Sequence, residues 1–134
     1  MKDKCTQTTN NKLIVFQENR SKLIVSNKAQ IETTKVVVDG CEITSGLRCD
    51  FMLLAQDLEY FIELKGQHID HAIKQLITTI NKLSSNPKKM KKTSFVICTR
   101  SPINSASIQN LQVKFKKNFN SKLIVRSSPY KHEI

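Results

Sequence analysis

The chain has 134 residues, of which 39% are hydrophobic and 25% charged, a balance typical of a single globular domain over 1–134 and not of a disordered chain. No apolar run approaches the roughly 20 residues that cross a bilayer, and the polar segment 1–11 does not predict a secretory signal, so we expect no membrane association. The net charge of +11 is divided unevenly, with +4 in 1–31, −5 in 32–70 and +12 in 71–134, which favours a polyanionic partner and a separate acidic site for cations.

The first half of the chain predicts a succession of short strands. Six segments are rich in β-branched or aromatic residues: 12–16, 22–25, 31–38, 41–44, 47–55 and 59–65. The Asp39-Gly40 dipeptide is a hairpin signal between the third and fourth segments, and residues 56–58 form a turn between the last two. The last four segments therefore predict an antiparallel meander that ends at Gly66.

The second half predicts helices that alternate with strands. Apolar residues recur every three or four positions over 67–84, which indicates an amphipathic helix that ends before Pro87. A strand over 94–99, a second helix over 107–119 and a last strand over 122–126 follow. Meander, helix, strand, helix and strand predict a mixed α/β fold, in which helices flank a mixed sheet.

The cysteines predict neither a disulfide framework nor a zinc site. Cys5, Cys41, Cys49 and Cys98 have no CxxC spacing, and a domain of this length can build a core without disulfides. We therefore expect reduced cysteines and a cytoplasmic protein.

Three polar residues fall on two neighbouring strands of the predicted meander. Strand alternation places Glu63 and Lys65 on one face, where both are costly to bury unless they are paired or bind a metal. If Asp57-Leu58 is a two-residue loop, Asp50 lies opposite Lys65, whereas a shift of two residues places Asp50 opposite Glu63. Either register gathers Asp50, Glu63 and Lys65 on one face of the sheet.

These residue types suit the hydrolysis of phosphodiesters. Two carboxylates supply the oxygen ligands that Mg²⁺ prefers, and the bound ion polarises a phosphate and lowers the pKa of a bound water. A neighbouring lysine ammonium can orient that water or stabilise the charge that develops on the phosphate oxygens.

The chain resembles the PD-(D/E)xK nuclease superfamily over roughly residues 30–100. The resemblance implies a restriction-endonuclease-like core, with Asp50 and Glu63 as Mg²⁺ ligands, Mn²⁺ as the alternative ion and the Leu64 carbonyl as an extra ligand. It implies that Lys65 assists the attacking water. Cys49 stands where the motif has proline, a position at which this divergent group often varies.

Several further residues are candidates for the same site. Gln75 lies on the helix that follows Lys65, and the resemblance implies that it positions phosphate or water; a polar residue that borders the core is the alternative. His68 and His71 fit ordinary helix-surface residues better than catalytic ones. Members of the superfamily often add a glutamate from an early element, and Glu32 and Glu42 both remain open.

The basic second half predicts contact with nucleic acid. Seven lysines are the candidate binding residues: Lys88, Lys89, Lys91, Lys92, Lys114, Lys116 and Lys117. Few aromatic residues accompany them, which favours contact with the phosphate backbone over base stacking. A solvated basic surface is the alternative interpretation.

The sequence thus predicts a magnesium-dependent deoxyribonuclease. One alternative is a nuclease-like fold that has lost activity and binds nucleic acid or a partner protein. A small basic protein-interaction domain is a third hypothesis. A homodimer or a protein partner stays open, as do endo- or exonucleolytic cleavage and the choice between DNA and RNA.

Overall fold

The computed structural model describes residues 1–64, 68–100 and 105–134, and these form nine strands and two helices. The strands are β1 (Thr6–Thr9), β2 (Leu13–Glu18), β3 (Ser21–Ser26), β4 (Thr33–Val37), β5 (Phe51–Ala55), β6 (Leu58–Leu64), β7 (Lys92–Cys98), β8 (Ser121–Ser127) and β9 (Tyr130–Glu133). The helices are α1 (Ile69–Leu83) and α2 (Ser105–Phe119). The predicted mixed α/β class is confirmed. Neither described helix has the length and apolar character to span a membrane.

The strands form two mixed sheets. The larger has the order β1-β4-β5-β6-β7-β8, in which β1, β4, β5 and β6 pair antiparallel and β6, β7 and β8 pair parallel. Helix α1 connects β6 to β7 and α2 connects β7 to β8, as a parallel pair requires a crossover. The smaller sheet has the order β2-β3-β9.

The larger sheet is covered on both faces. Strand β7 lies between two parallel neighbours, and all seven of its residues are buried. On one face, Phe61 and Val96 pack against both helices. On the other, Ile62 and Phe95 pack against β2 and β3 of the smaller sheet. The expectation that helices flank the sheet therefore holds for one face only, because the second layer on the other face is itself a sheet.

The meander differs from the prediction around its first turn. The predicted return strand 41–44 is wrong, since β4 pairs with β5 instead. The amides of Glu42 and Ile43 donate to the carbonyls of Val37 and Val38, so that the chain curls back in a tight loop at Gly40, whose φ is +76°. Strand β5 consequently begins at 51 and not at 47.

The N-terminal segment is held to this loop by a disulfide, which corrects the expectation of reduced cysteines. Cys5, which ends a short 3₁₀ turn before β1, is bonded to Cys41. The Lys2 amide donates to the Glu42 carboxylate at 3.0 Å beside it. The partners are 36 residues apart, a separation that has no pattern in the sequence. Cys49 and Cys98 are free and buried.

We expect the Cys5–Cys41 disulfide to stabilise the fold. Replacing both residues by serine should lower the free energy of unfolding by about 4 kcal/mol, because the unfolded chain regains the freedom of the closed loop. Urea denaturation of the double variant and of the wild type checks this. A wild type whose midpoint does not change on addition of a dithiol reductant would contradict it.

Candidate metal centre

Asp50 lies where β5 begins and β6 ends, and hydrogen bonds of its backbone and of its side chain hold it there. Residues 56–57 form the two-residue loop between β5 and β6, with Ala55 opposite Leu58 and Phe51 opposite Ile62. This register is the one whose continuation brings Asp50 opposite Glu63; the alternative that pairs Asp50 with residue 65 is wrong. The Asp50 amide donates to the Ile62 carbonyl at 3.1 Å, and its Oδ2 accepts from the Leu64 amide at 2.7 Å.

Three carboxylates converge at this end of β6. Glu18 ends β2, Asp39 follows β4 and Asp50 precedes β5, and one oxygen from each lies within 4.8 Å of the others. We call these three residues the acidic cluster. Asp39 is exposed and its Oδ1 accepts from Arg48 Nε at 2.7 Å, whereas Asp50 is 8% exposed.

The surroundings of Asp50 favour its neutral form. Burial, a hydrogen bond with the Glu18 carboxylate and repulsion from Glu63 raise the pKa of Asp50 to about 9, and the Leu64 amide opposes this shift. Because further carboxylates stand beside this buried group, its ionised form is disfavoured. A positive charge at this point would favour the carboxylate instead.

The acidic cluster fits a hard divalent cation. Carboxylate oxygens are the ligands of Mg²⁺ at ~2.0–2.1 Å, so two ligands on opposite sides of the ion are about 4.2 Å apart. Oxygens within 4.8 Å of one another reach such an arrangement through small side-chain movements. Deprotonation of Asp50 would accompany binding, because only the carboxylate is a ligand.

Two of the predicted site residues flank the acidic cluster in β6, and a third lies outside the described residues. Glu63 is 1% exposed and close enough to Asp50 to raise its pKa. Leu64 contacts Asp50 through its amide, and its carbonyl stays a predicted ligand. Lys65 lies outside the described residues, so its predicted role stays a prediction.

Helix α1 positions the residues that precede Asp50. Gln75 Nε2 donates to the Arg48 carbonyl at 3.0 Å, and Thr79 Oγ1 accepts from the Cys49 amide at 2.8 Å. Gln75 Oε1 is buried and accepts no hydrogen bond from the residues that the structure describes. Gln75 therefore supports the backbone beside the acidic cluster, and its predicted catalytic role stays a prediction.

The glutamate that an early element contributes to the acidic cluster is Glu18, and the prediction of Glu32 or Glu42 is wrong. Glu32 is exposed and Glu42 accepts the Lys2 amide, whereas Glu18 comes from the end of the β2–β3 hairpin. Glu18 is the last residue of β2, and its sequence signal was only that it comes soon after the predicted strand 12–16. Asp39 was recognised only as a turn residue, and the partner of such a residue depends on the tertiary fold. His68 precedes α1 and His71 is exposed on it, as expected of surface residues.

Six of the seven candidate lysines are exposed, and the seventh has a different role. Lys92 is 2% exposed, and its Nζ donates to the carbonyls of Asn86, Pro87, Met90 and Phe119 at 2.6–3.0 Å. These bonds hold the turn before β7 to the end of α2. Burial lowers the pKa of Lys92, against the effect of the Glu59 carboxylate. The interpretation of Lys92 as a phosphate contact is therefore wrong, because its ammonium is enclosed by backbone.

Comparison with protein-family models, with curated proteins and with solved structures finds no match to this chain. The geometry of the described residues is therefore the basis of the functional argument.

We expect the stability of the metal-free protein to fall as pH rises, because of Asp50. Its pKa is raised by folding, so its stabilising contribution is complete below the unfolded value of about 3.9 and is lost as pH rises through the folded value. One such group contributes a slope of at most about 1.4 kcal/mol per pH unit. Urea denaturation in EDTA between pH 5 and 9 measures this slope, which Asp50→Asn should reduce. An equal reduction in Asp57→Asn, a change in the exposed loop, would contradict the assignment.

Replacing Lys92 should destabilise the fold without any nucleic acid present. Lys92→Met removes the contacts of the ammonium with four backbone carbonyls, which share its three N–H donors, and should lower the free energy of unfolding by at least about 2 kcal/mol. Lys91→Met, at the exposed preceding position, should change it by less than about 0.5 kcal/mol. Equal midpoints of urea denaturation for the two variants would show that the contacts with the carbonyls do not stabilise the fold.

Proposed function

We propose that this protein is a metal-dependent nuclease that hydrolyses phosphodiester bonds in DNA, with Mg²⁺ or Mn²⁺ as its ion. The observation that carries the proposal is the acidic cluster, in which one oxygen each from Glu18, Asp39 and the buried Asp50 lie within 4.8 Å of one another. Carboxylates gathered around a buried acid are a costly arrangement for a purely structural role. In a chain of net charge +11, such a cluster combines cation ligands with attraction for phosphate.

The connectivity of the larger sheet supports the same proposal. Strands β4, β5 and β6 form a meander, α1 follows, and β7 returns parallel to β6. This is the order of elements over which the chain resembles the PD-(D/E)xK superfamily. The acidic cluster lies at the carboxyl end of β6, where ligands bind in open α/β sheets.

Each residue of the site has a proposed task. Asp50 and Glu63 hold the ion, with the Leu64 carbonyl as a further ligand, and Glu18 and Asp39 complete the acidic environment. A bound divalent cation supplies Lewis-acid polarisation of the phosphate and a more acidic water. Lys65 orients the attacking water, and Gln75 holds the backbone that leads into Asp50.

The cytoplasmic location stays a prediction. The Cys5–Cys41 disulfide is typical of proteins in an oxidising compartment and therefore argues against the cytoplasm.

Cleavage of plasmid DNA in Mg²⁺ tests the proposal. Asp50→Asn should reduce the rate at least about 100-fold because a ligand is lost, and Lys65→Ala should reduce it at least about 100-fold while cation binding persists. Wild type and Lys65→Ala should therefore melt higher in the presence of Mg²⁺, and Asp50→Asn should not.

Asp57→Asn is the matched control, because it removes one exposed carboxylate from the loop that joins the same two strands. It should cleave as the wild type does. DNA binding without cleavage by the wild type would support the inactive module instead. Full activity of Asp50→Asn would refute the site.

A further inference from the structure

The strand at one lateral edge of the larger sheet and the helix beside it contain no acidic residue. Strand β8 is the last strand of the larger sheet, and α2 packs beside it. No Asp or Glu occurs between positions 71 and 132, a range that includes α2, β7 and β8. The charged side chains of α2 and β8 are therefore all basic.

Three basic side chains occur along this edge. Lys116 of α2 and Lys122 of β8 line a groove of about 410 Å³ between the helix and the strand. Arg126 lies further along β8 and is exposed, with its guanidinium over the Tyr130 ring at 5.8 Å. We call Lys116, Lys122 and Arg126 the basic edge.

The register of the parallel strands places the basic edge relative to the acidic cluster. Arg126 is level with Ile97 and Leu64, so it is two strands, or about 10 Å, from the backbone that binds Asp50. Lys122 is level with Tyr60, four residues and about 13 Å further along the strand direction. The basic edge thus extends along β8 from the groove to the level of the backbone that binds Asp50.

We infer that the basic edge binds the phosphate backbone of duplex DNA, with the duplex lying along β8. This inference rests on the proposed function, since it supplies that site with its substrate. The distance between Lys122 and Arg126 equals the rise of about four base pairs at 3.4 Å each. Contact with one continuous backbone by both residues needs no bending of the duplex.

The surface fits a duplex better than other polyanions. Val113 is the one large apolar side chain that is exposed on the described parts of α2 and β8, so a protein partner would find no apolar centre there. No aromatic residue is among the exposed large hydrophobic side chains of the described residues, so single-stranded bases would find no stacking platform. Contact between the basic side chains and the phosphate backbone of a duplex is the mode of binding that this surface favours.

Fluorescence anisotropy with a labelled 20-base-pair duplex tests the inference. It is performed in EDTA between 50 and 300 mM NaCl, so that cleavage plays no part. Lys116→Gln/Lys122→Gln should reduce the slope of log K against log salt by about 1.8, or 0.9 for each lost phosphate contact. Arg126→Gln should reduce it by about 0.9.

Lys4→Gln/Lys12→Gln is the matched control, since it removes two exposed charges outside α2 and β8. Its slope should equal that of the wild type. Equal reductions in the two double variants would show an effect of net charge alone and overturn the inference. Tighter binding of a 20-nucleotide single strand, or equal competition by polyglutamate, would overturn the assignment to a duplex. A wild type that binds through this edge and does not cleave in Mg²⁺ would overturn the proposed function and leave the inference standing.

Discussion

The need to cover the parallel strands β6, β7 and β8 on both faces determines most of this structure. Parallel strands require crossovers, and both crossover helices pack on the same face. The opposite face would expose Ile62 and Phe95, and β2 and β3 cover it. That second layer delivers Glu18 to the edge where Asp50 lies. The acidic cluster is thus a consequence of how the sheet is covered.

The two ends of the parallel strands have opposite electrostatic tasks. At the carboxyl end of β6, three carboxyl groups converge, and burial and the neighbouring carboxylates raise the pKa of Asp50. At the amino end of β7, the Lys92 ammonium is surrounded by four backbone carbonyls and holds a turn. Its three N–H groups already donate to these carbonyls, so it has no donor left for an external anion. A buried acid that keeps a proton does gain from a divalent ion, which is why only the first end is a candidate site.

Sequence patterns predicted the features that depend on residues close together in the chain. The apolar stripe predicted α1, and the two-residue loop after Ala55 is one of the alternatives that the sequence allowed. Long-range partners were beyond such patterns: Cys5 and Cys41 are 36 residues apart, and β9 joins β3 from the other end of the chain. Lys92 looked like its exposed neighbours because burial by backbone carbonyls depends on the packing of α2.

The same reasoning explains why Asp50 could be found from the sequence and its partners could not. Asp50 stands next to an apolar strand that a short turn pairs with β6, so either predicted register placed it on the face of Glu63, and the resemblance implied that it is a ligand. Glu18 is the last residue of β2 and Asp39 lies in the turn after β4, and their carboxylates come together only when the two sheets are packed on each other. Because one oxygen of Asp39 is bound to Arg48, the charge of the cluster also depends on that ion pair. A cation that enters must therefore compete with the proton on Asp50 and with Arg48, which makes its affinity dependent on pH and on salt.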